Sequence, residues 1–367
     1  MRKIKVAQIG IGHNHAADKM LACRKFSDVF EVVGFAENDE KWLSERVDYD
    51  AYKGLARYSE EEILAMNDVD AILIEKDVPQ LNELALKAVE KGFHIHMDKP
   101  AGENLSEYTK ILSIAKKNDL VVQLAYMYRY NPAVKKAVEI IKSGALGNLV
   151  SIDTMMSTDH SAQYRKWLEN HKGGSMFIFG CHLIDIVYSL MGKPENIVPF
   201  LKKTGFGGTD SFDNDFAVLE YESGFSTVKT SSVEVNGYGR RQIVINGTEG
   251  TIEIKPIERP TKMYLSLRKN CPHIYCDSRE EIIVKDLDGS ERYDEMMLDF
   301  ASFIRKEKTN PYNYEYELEL HKLILSACNI PFDKNEVIKC KQCLLKKTNQ
   351  CNGAKFLFPK FPTRRRL

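Results

Sequence analysis

The chain has 367 residues, and its 52 lysines and arginines balance 52 aspartates and glutamates, so the formal net charge is zero. A chain of this length is too long for one ordinary hydrophobic core and is predicted to form two domains. Its balanced charge gives no general attraction to nucleic acid. An apolar strand begins almost at the N-terminus and no apolar run could span a bilayer, so we expect a cytoplasmic protein without membrane or nucleic-acid partners.

The first third of the chain alternates strand and helix signals. An amphipathic pattern follows the first strand, and another ends at Gly92, a typical helix terminator. Such alternation predicts a doubly wound parallel sheet with right-handed crossovers, which we place in a domain spanning residues 1–125. The predicted strands are Ile4–Ile9, Glu31–Ala36, Ala71–Ile74, Phe93–Met97 and Leu120–Ala125, and the clearest helices are Leu81–Lys91 and Ser106–Asn118.

The first strand ends in a glycine-containing turn typical of a Rossmann phosphate loop. Gly10 permits the tight turn, and Gly12 lets the backbone approach a pyrophosphate resting on the following helix N-terminus. The third glycine of the usual fingerprint is His15, so the prediction depends on the strand–turn–helix context. The alternative is a structural glycine turn. The residues predicted to bind the cofactor here are Gly10, Ile11, Gly12, His13 and Asn14.

Glu37 ends the second predicted strand and indicates which dinucleotide binds. An acidic side chain there can accept hydrogen bonds from both ribose hydroxyls and would repel a 2′-phosphate, so NAD is the predicted cofactor. His13 and His15 could suggest a metal, but neither acidic residues nor cysteines cluster near them in sequence. We therefore predict no metal, and no disulfide framework from the eight scattered cysteines.

The pattern changes after Tyr126. A helix is predicted from Asn131-Pro132 to Gly144, and a final helical stretch from Met296 to Ile330 with a break at Asn310-Pro311. Strands separated by glycine-containing turns predict an α+β domain over residues 126–330, built on a large, mostly antiparallel open sheet. These strands are Ala217–Tyr221, Ser226–Val235, Arg241–Ile245 and Thr251–Ile254.

An open sheet with one uncovered apolar face needs a cover, which predicts a homo-oligomer, a dimer or a tetramer, formed through this second domain. The segment 331–367 has a different composition, rich in lysine and arginine with Cys340, Cys343 and Cys351. Because its apolar residues show little helical period, we predict a peripheral tail with unpaired thiols rather than a zinc site.

Two downstream motifs carry a family resemblance. Met97-Asp98-Lys99-Pro100 follows a predicted strand, and a Gly-Gly…Gly-x-His-x-x-Asp segment spans Gly173–Asp185. With the helix at Asn131–Gly147 and the hairpin at Asn246–Thr251, these motifs resemble the Gfo/Idh/MocA family, named for glucose–fructose oxidoreductase and inositol dehydrogenase, over roughly residues 4–330. The resemblance implies an NAD-dependent dehydrogenase acting on a carbinol of a sugar, cyclitol or related polyol.

The resemblance also assigns the predicted catalytic residues. The family's lysine and histidine correspond to Lys99 and His182, where histidine accepts the hydroxyl proton and the ammonium stabilises the developing oxyanion. Asp185 lies three residues after His182 and could orient the imidazole or bind a substrate hydroxyl. Packing of the helix end explains Asp185 almost as well.

This chain departs from the family pattern at two places. Many members have an aspartate four residues before the histidine, where this chain has Ile178. The family's Thr-Pro-Asn after the fourth strand becomes Lys76-Asp77-Val78, and Glu75 and Lys76 stand where the cofactor should pass. Glu75 and Lys99 complete the predicted cofactor-binding set.

Polar and aromatic residues beside the expected cleft could bind a polyhydroxylated substrate, although an ordinary surface loop explains them equally well. Two other functions stay open. One is a hydrolase or lyase that keeps NAD bound and oxidises its substrate transiently. The other is a regulator that binds a dinucleotide or sugar without catalysis, which the loss of the aspartate at Ile178 would suit. The predicted substrate-binding residues are Lys99, Tyr126, Arg129, Trp167, His182 and Asp185.

Overall fold

The computed structural model of the protein describes residues 2–338, which form fourteen strands, ten α-helices and several short 3-10 and π segments. The strands are β1 (Ile4–Ile9), β2 (Phe30–Ala36), β3 (Ala56–Tyr58), β4 (Ala71–Ile74), β5 (His94–Met97), β6 (Val122–Leu124), β7 (Leu149–Ser157), β8 (Asn196–Lys202), β9 (Asn214–Tyr221), β10 (Gly224–Ser231), β11 (Gln242–Gly247), β12 (Gly250–Ile254), β13 (Met263–Leu267) and β14 (Glu280–Ile282).

The helices alternate with the strands in the first third of the chain and are sparser afterwards. They are α1 (Ala16–Lys25), α2 (Glu40–Arg46), α3 (Glu60–Leu64), α4 (Val78–Glu90), α5 (Leu105–Asn118), α6 (Pro132–Lys142), α7 (Ala162–Leu168), α8 (Cys181–Met191), α9 (Glu291–Ile304) and α10 (Tyr314–Ala327).

The first sheet is parallel throughout, in the order β3-β2-β1-β4-β5-β6. Its central strands are apolar and buried on both faces, as expected when helices cover both sides of a parallel sheet. The strand order reverses between β1 and β4, which opens a crevice at the carboxyl ends of these strands. The loops after β1, β2, β4 and β5 therefore converge on one site.

The second sheet has eight strands in the order β14-β13-β12-β11-β7-β10-β9-β8. Only β7 and β10 pair in parallel within it, and the other pairs are antiparallel. Residues on β9 and β10 alternate between buried and partly exposed positions, so one face is covered and the other is open. The predicted fold class, a Rossmann sheet followed by a mostly antiparallel open sheet, is confirmed.

The predicted elements differ from the observed ones mainly at their ends. The helical stretch expected from Met296 begins at Glu291, and the strand expected to reach Val235 ends at Ser231. Several elements were not predicted at all. β3, α2, α3, β8 and β14 are short or partly polar and bury too few residues to leave a periodic pattern, and β7, β13 and α7 were also missed.

Helices α9 and α10 return to the first domain. On α9, Tyr293 packs its ring 5.9 Å from that of His15, and the carbonyl of Met296 accepts a hydrogen bond from Gln123 at 3.2 Å. On α10, the ring of His321 packs against Tyr108 on α5 at 5.1 Å. The last third of the chain thus helps to build the first domain, and the predicted domain limits near residues 125 and 330 stay predictions.

The start of the predicted tail is packed rather than peripheral. Phe332 and Ile338 contact the main core, and Lys322 on α10 donates a hydrogen bond to the carbonyl of Glu336 at 2.6 Å. Cys340, Cys343 and Cys351 lie outside the described residues. Within the described range the cysteines are free thiols, and no helix there is long and apolar enough to cross a membrane.

Candidate functional site

The turn after β1 has two glycines that serve different close contacts. Gly10 has φ of +94°, and a Cβ there would lie 2.5 Å from the carbonyl oxygen of Glu75 on the neighbouring strand end. A Cβ on Gly12 would lie 2.5 Å from the indole of Trp42 on α2. Gly12 is therefore required for packing against Trp42, a contact that the sequence did not predict. Gly12 also borders the cleft at this end of the sheet.

Glu37, at the end of β2, is a buried carboxylate that organises this turn. Its Oε2 accepts from the backbone N–H of Ile11 at 2.8 Å, and its Oε1 accepts from those of Asn38 and Asp39 at 2.9 and 3.0 Å. Burial opposes ionisation, but these N–H donors and the ammonium of Lys76 outweigh it and lower the pKa of Glu37. The predicted ribose-binding residue is thus an anion that already has several donors.

Lys76 and Glu60 extend this polar group along the cleft. The Lys76 ammonium lies 3.0 Å from Oε1 of Glu37 and 2.9 Å from the carboxylate of Glu60 on α3. Together with Gly12, His13 and other residues they border a cleft of about 620 Å³. That volume suits a small-molecule site, and its position at the carboxyl ends of β1, β2 and β4 suits a dinucleotide.

A cluster of four ionisable side chains lies deeper, between the phosphate-loop turn and the ends of β4 and β5. Lys19 on α1 is fully buried, and its ammonium lies 2.8 Å from Glu75 and 3.1 Å from Asp98. His13 places Nε2 2.9 Å from Asp98, while its Nδ1 accepts from the backbone N–H of His15 at 3.3 Å. The cluster fixes Asp98, the residue immediately before Lys99.

The same cluster brings the ligand atoms of His13, Glu75 and Asp98 within 4.8 Å of one another, a spacing that a metal ion could use. The ammonium of Lys19 already contacts both carboxylates and supplies the positive charge that an ion would bring. Burial disfavours the charged form of Lys19, but the two carboxylates outweigh it and raise its pKa. The donor set is therefore better explained as an internal ion cluster than as a metal centre.

Lys99, predicted to be catalytic, is buried at the end of β5. Its ammonium donates a hydrogen bond to the backbone carbonyl of Ile178 at 3.1 Å. Ile178 lies in a π-helical segment, Met176–Gly180, that leads directly into α8. Local π geometry often marks functional sites, and here it presents a main-chain carbonyl to Lys99 at the position where many relatives have a carboxylate.

His182 is the second residue of α8 and is 97% buried by the rings around it. Tyr126 and Tyr128 direct their rings at its imidazole in edge-on contacts, with centroids 5.8 and 5.3 Å away. Its Nδ1 is buried and has no hydrogen-bond partner among the described residues. Burial, reinforced by the positive charge of Lys99, lowers the pKa of His182 well below its usual range, so the ring is neutral.

Arg129 and Asp185, predicted at the site, are instead paired with each other. The guanidinium of Arg129 donates to both oxygens of Asp185 at 2.8 and 2.9 Å and to Glu317 on α10 at 2.7 Å. Tyr316 donates a further hydrogen bond to Asp185 at 2.9 Å. No contact of Asp185 with the imidazole of His182 occurs in residues 2–338, so its catalytic role stays a prediction that the geometry does not favour.

Several aromatic side chains of the second domain pack against one another. His160 stacks on Tyr164 with ring centroids 4.1 Å apart and on Phe179 at 5.2 Å. Trp167, predicted to contact substrate, packs against Tyr164 and against His171 at 4.6 Å. Flat, partly apolar faces of this kind suit the carbon skeleton of a sugar or cyclitol.

Several residues near the site were not predicted from the sequence. Lys19 was one of them, although a lysine between Ala16 and Met20 on the apolar side of α1 signals a buried charge that needs a partner. The partner was equally visible, because Glu75 follows four buried apolar residues of β4. Trp42 and Glu60 lie on short helices that were not predicted. Asn14, predicted to bind the cofactor, accepts a hydrogen bond from Arg46 at 3.3 Å.

Comparisons with known proteins identify the family of the chain. Residues 4–126 match the family model of the NAD-binding Rossmann fold of the oxidoreductase family, and residues 134–253 match that of the Gfo/Idh/MocA C-terminal domain. A scyllo-inositol 2-dehydrogenase (NAD+) of Bacillus subtilis is 25% identical over 268 residues, covering 70% of this chain and 74% of that protein. A 2,7-anhydro-N-acetylneuraminate hydratase of Escherichia coli is 24% identical over 288 residues, covering 71% and 76%.

Among solved structures, levoglucosan dehydrogenase in complex with NADH and levoglucosan superimposes with a TM-score of 0.77 at 18% identity, covering 90% of this chain and all of that one. This likeness concerns the fold, since the identity is low. The two family models span most of the chain, in the order in which the sheets occur. The chain therefore belongs to the Gfo/Idh/MocA family of NAD-binding oxidoreductases.

Proposed function

We propose that this protein is an NAD-dependent dehydrogenase that oxidises a carbinol of a sugar, cyclitol or related polyol. The observation that carries the proposal is the meeting of a lysine ammonium and a neutral imidazole at the junction of the two domains. The ammonium of Lys99 donates a hydrogen bond to the carbonyl of Ile178, four residues before His182. The positive charge of Lys99, together with burial, lowers the pKa of that histidine. A neutral imidazole is a competent proton acceptor near physiological pH.

The residues of the cleft fit the cofactor. Gly10 gives the tight turn after β1, Gly12 borders the cleft, and Glu37 lies where the adenosine ribose of a dinucleotide falls in this fold. From there the cleft passes Glu75 toward the end of β5, where Lys99 stands. When bound, NAD supplies the hydride acceptor.

The chain's own residues handle the proton and the charge. His182 accepts the proton of the substrate hydroxyl while Lys99 stabilises the negative charge that develops on the oxygen. The aspartate that many relatives place four residues before the histidine is absent, so proton acceptance falls to His182 alone at this position. The rings of His160, Tyr164 and Phe179 stack on one another, and we expect them to support the substrate's carbon skeleton.

The test is a screen of sugars and cyclitols with NAD, following the absorbance of NADH. Scyllo-inositol and levoglucosan are the first candidates, because similar proteins are described with these substrates. Substrate-dependent formation of NADH that is lost in His182→Ala would support the proposal. NADH binding without turnover on any compound would favour the non-catalytic regulator instead.

A second candidate is supported by the hydratase among the relatives. In that case NAD would stay bound, the substrate would be oxidised and re-reduced, and no net NADH would form. The two reactions need the same base and oxyanion partner, so His182 and Lys99 do not discriminate between them. Nuclear magnetic resonance of the reaction mixture does: a changed product with constant absorbance of NADH identifies the second reaction.

We also propose that the open face of the second sheet forms a homo-oligomer. Phe200 on β8 is 50% exposed on this face and packs against Phe216 on β9, and Phe225 on β10 is 57% exposed. Exposed aromatic side chains on a continuous sheet face favour self-association. Light scattering should show a dimer or tetramer, and Phe200→Glu should shift it toward the monomer. A wild-type monomer at micromolar concentration would contradict the proposal.

A further inference from the structure

The cofactor cleft is strongly acidic. Five acidic residues border it, namely Glu37, Asp39, Glu60, Glu75 and Asp77, whereas Lys76 is the single lysine or arginine in its lining among the described residues. Lys76 occupies the strand end where the family has part of its Thr-Pro-Asn segment. A lone cation at the adenosine end of a dinucleotide cleft bears directly on whether a 2′-phosphate is accepted.

Glu37 has little acceptor capacity left for a ribose. A carboxylate has about four lone-pair sites. Oε1 already receives the N–H groups of Asn38 and Asp39 and the ammonium of Lys76, and Oε2 receives that of Ile11. One site on Oε2 is therefore open. Oε1 thus holds three donors, one more than its two lone pairs, and a second ribose hydroxyl can approach it only at the position that Lys76 now occupies. Accepting both ribose hydroxyls therefore requires Lys76 to leave Oε1.

Glu60 gives Lys76 an alternative anionic partner. Its carboxylate lies 2.9 Å from the ammonium, slightly closer than that of Glu37 at 3.0 Å. Glu60 is the first residue of α3, which the preceding Ser59 fixes with a capping box. The Glu60 side chain is 21% exposed, against 2% for Glu37, so it can follow a moving lysine at the cleft surface.

We propose that Lys76 and Glu60 determine the cofactor specificity of this protein together with Glu37. When the adenosine ribose binds, Lys76 gives up Glu37 and stays with Glu60, which frees Glu37 for the ribose hydroxyls. Glu60 also keeps the ammonium neutralised, so that a 2′-phosphate meets a net negative group rather than a free lysine. This inference rests on the proposed NAD site and adds two residues that select between dinucleotides.

The proposal predicts different effects from removing either partner. In Glu60→Gln, Lys76 loses one of its two anions and stays on Glu37, where it competes with the ribose and offers its charge to a 2′-phosphate. We expect the preference for NADH over NADPH to fall about tenfold, the effect of one partly buried charge pair. In Lys76→Met, NADH binding should be retained and NADPH binding should stay weak.

The experiment measures dissociation constants of NADH and NADPH for the full chain by nicotinamide fluorescence, without any substrate. Glu61→Gln is the matched control, because Glu61 is an exposed neighbour on the same helix and should leave the preference unchanged. Circular dichroism of each variant checks that the fold is retained.

The double variant Glu60→Gln/Lys76→Met decides whether Glu60 acts through Lys76. If it does, Glu60→Gln changes the preference in the wild-type background and has no effect once Lys76 is absent. An equal effect in both backgrounds would mean that Glu60 repels the phosphate directly, which would overturn the proposed exchange. An unchanged preference in Glu60→Gln would overturn it as well. Wild-type protein that fails to bind NADH would instead refute the proposed function on which the inference rests.

Discussion

The two ends of the cleft arrange their polar groups in opposite ways. At the adenosine end, Glu37 is surrounded by donors, and Lys76 is held between two carboxylates at the edge of an open cleft. At the catalytic end, the carboxylate nearest His182 in the sequence, Asp185, is held by Arg129, while the imidazole keeps an unpaired nitrogen. The acidic group at the first end is therefore already engaged by donors, whereas the imidazole at the second has no carboxylate partner among the described residues.

This difference separates the residues proposed to carry out the reaction from those proposed to select the cofactor. At the catalytic end, Nδ1 of His182 is one of several buried polar atoms without a partner in residues 2–338, and under the proposed function we expect the imidazole to be available to the substrate hydroxyl. At the adenosine end Oε1 of Glu37 already accepts three hydrogen bonds, so a ribose hydroxyl must replace Lys76 there. Mutations at the catalytic end should therefore change turnover, and those at the adenosine end should change cofactor affinity.

The largest expected effect is that of removing the proposed base. His182→Ala and Lys99→Ala should each lower kcat by about a hundred- to ten-thousand-fold, the usual contribution of a positioned acid–base group. His182→Ala should lie near the upper end, because Ile178 offers no carboxylate as a substitute. NADH affinity should change little in His182→Ala. Steady-state kinetics and NADH titration check both statements, and turnover near that of wild type would remove His182 from the mechanism.

The second effect concerns stability rather than chemistry. Arg129→Met leaves Asp185 and Glu317 buried without their counter-charge, which should cost about 3–5 kcal/mol in the free energy of unfolding. Lys136→Met is the control, because Lys136 forms an exposed ion pair with Glu139 and should contribute very little. Urea denaturation measures both variants. Equal stability of the two would show that the Arg129 network is not structural.

Asp185→Asn separates the two roles considered for that residue. The amide keeps part of the bonding to Arg129 and Tyr316 but loses the charge, so we expect a loss of about 1–3 kcal/mol in stability. Turnover should fall no more than a few-fold if Asp185 does not touch substrate. A loss of turnover comparable with that of His182→Ala, in folded protein, would restore Asp185 as a catalytic residue.

Truncation should have a smaller effect that depends on where the chain is cut. Ending at Ile338 retains the packing of Phe332 and Ile338 and the hydrogen bond from Lys322, so the melting temperature should stay within a few degrees of wild type. Ending at Ile330 removes these contacts and should lower it measurably further. Thermal denaturation of the two proteins compares them, and identical melting temperatures would show that residues 331–338 add no stability.

The smallest expected effect is that of acid on turnover. An imidazole with an ordinary pKa near 6.5 would lose roughly threefold in activity between pH 7 and pH 6. Burial and Lys99 lower the pKa of His182, so its active neutral form should persist and kcat/KM should fall less in this range. The same shift means that protonating His182 destabilises the fold, and this loss of stability begins as pH falls below the unfolded value. A limb at pH 6.5 in the pH–rate profile, absent from His182→Gln, would contradict the depressed pKa.

The sequence was most informative where apolar residues form a compact run or a periodic pattern. The predicted bounds of β1 and β4 match the structure, because both strands are short apolar runs between polar loops. The motif around Lys99 and the one around His182 predicted two residues that the fold brings together from 83 positions apart. Periodicity could not predict the partners of charged residues, since pairing depends on three-dimensional neighbours.

Two of the predicted site residues, Asp185 and Glu75, illustrate this limit. Asp185 shares a helix with His182, and spacing alone placed it beside the imidazole, yet the guanidinium of Arg129 draws its carboxylate elsewhere. Glu75 was expected to contact the cofactor, and its carboxylate is engaged by Lys19 from a helix 56 residues earlier. In both cases a buried ion pair from a distant segment decided where the side chain points.

The return of α9 to the first domain constrains how the protein is made. Tyr293, Met296 and Phe300 contact His15, Gln123 and His96, and all three belong to a segment that leaves the ribosome after most of the chain. During synthesis the first domain can form its parallel sheet early, but the wall beside its phosphate-loop turn is missing until α9 emerges. A nascent chain stalled before residue 291 would therefore leave the rings and the amide that α9 later covers open to water.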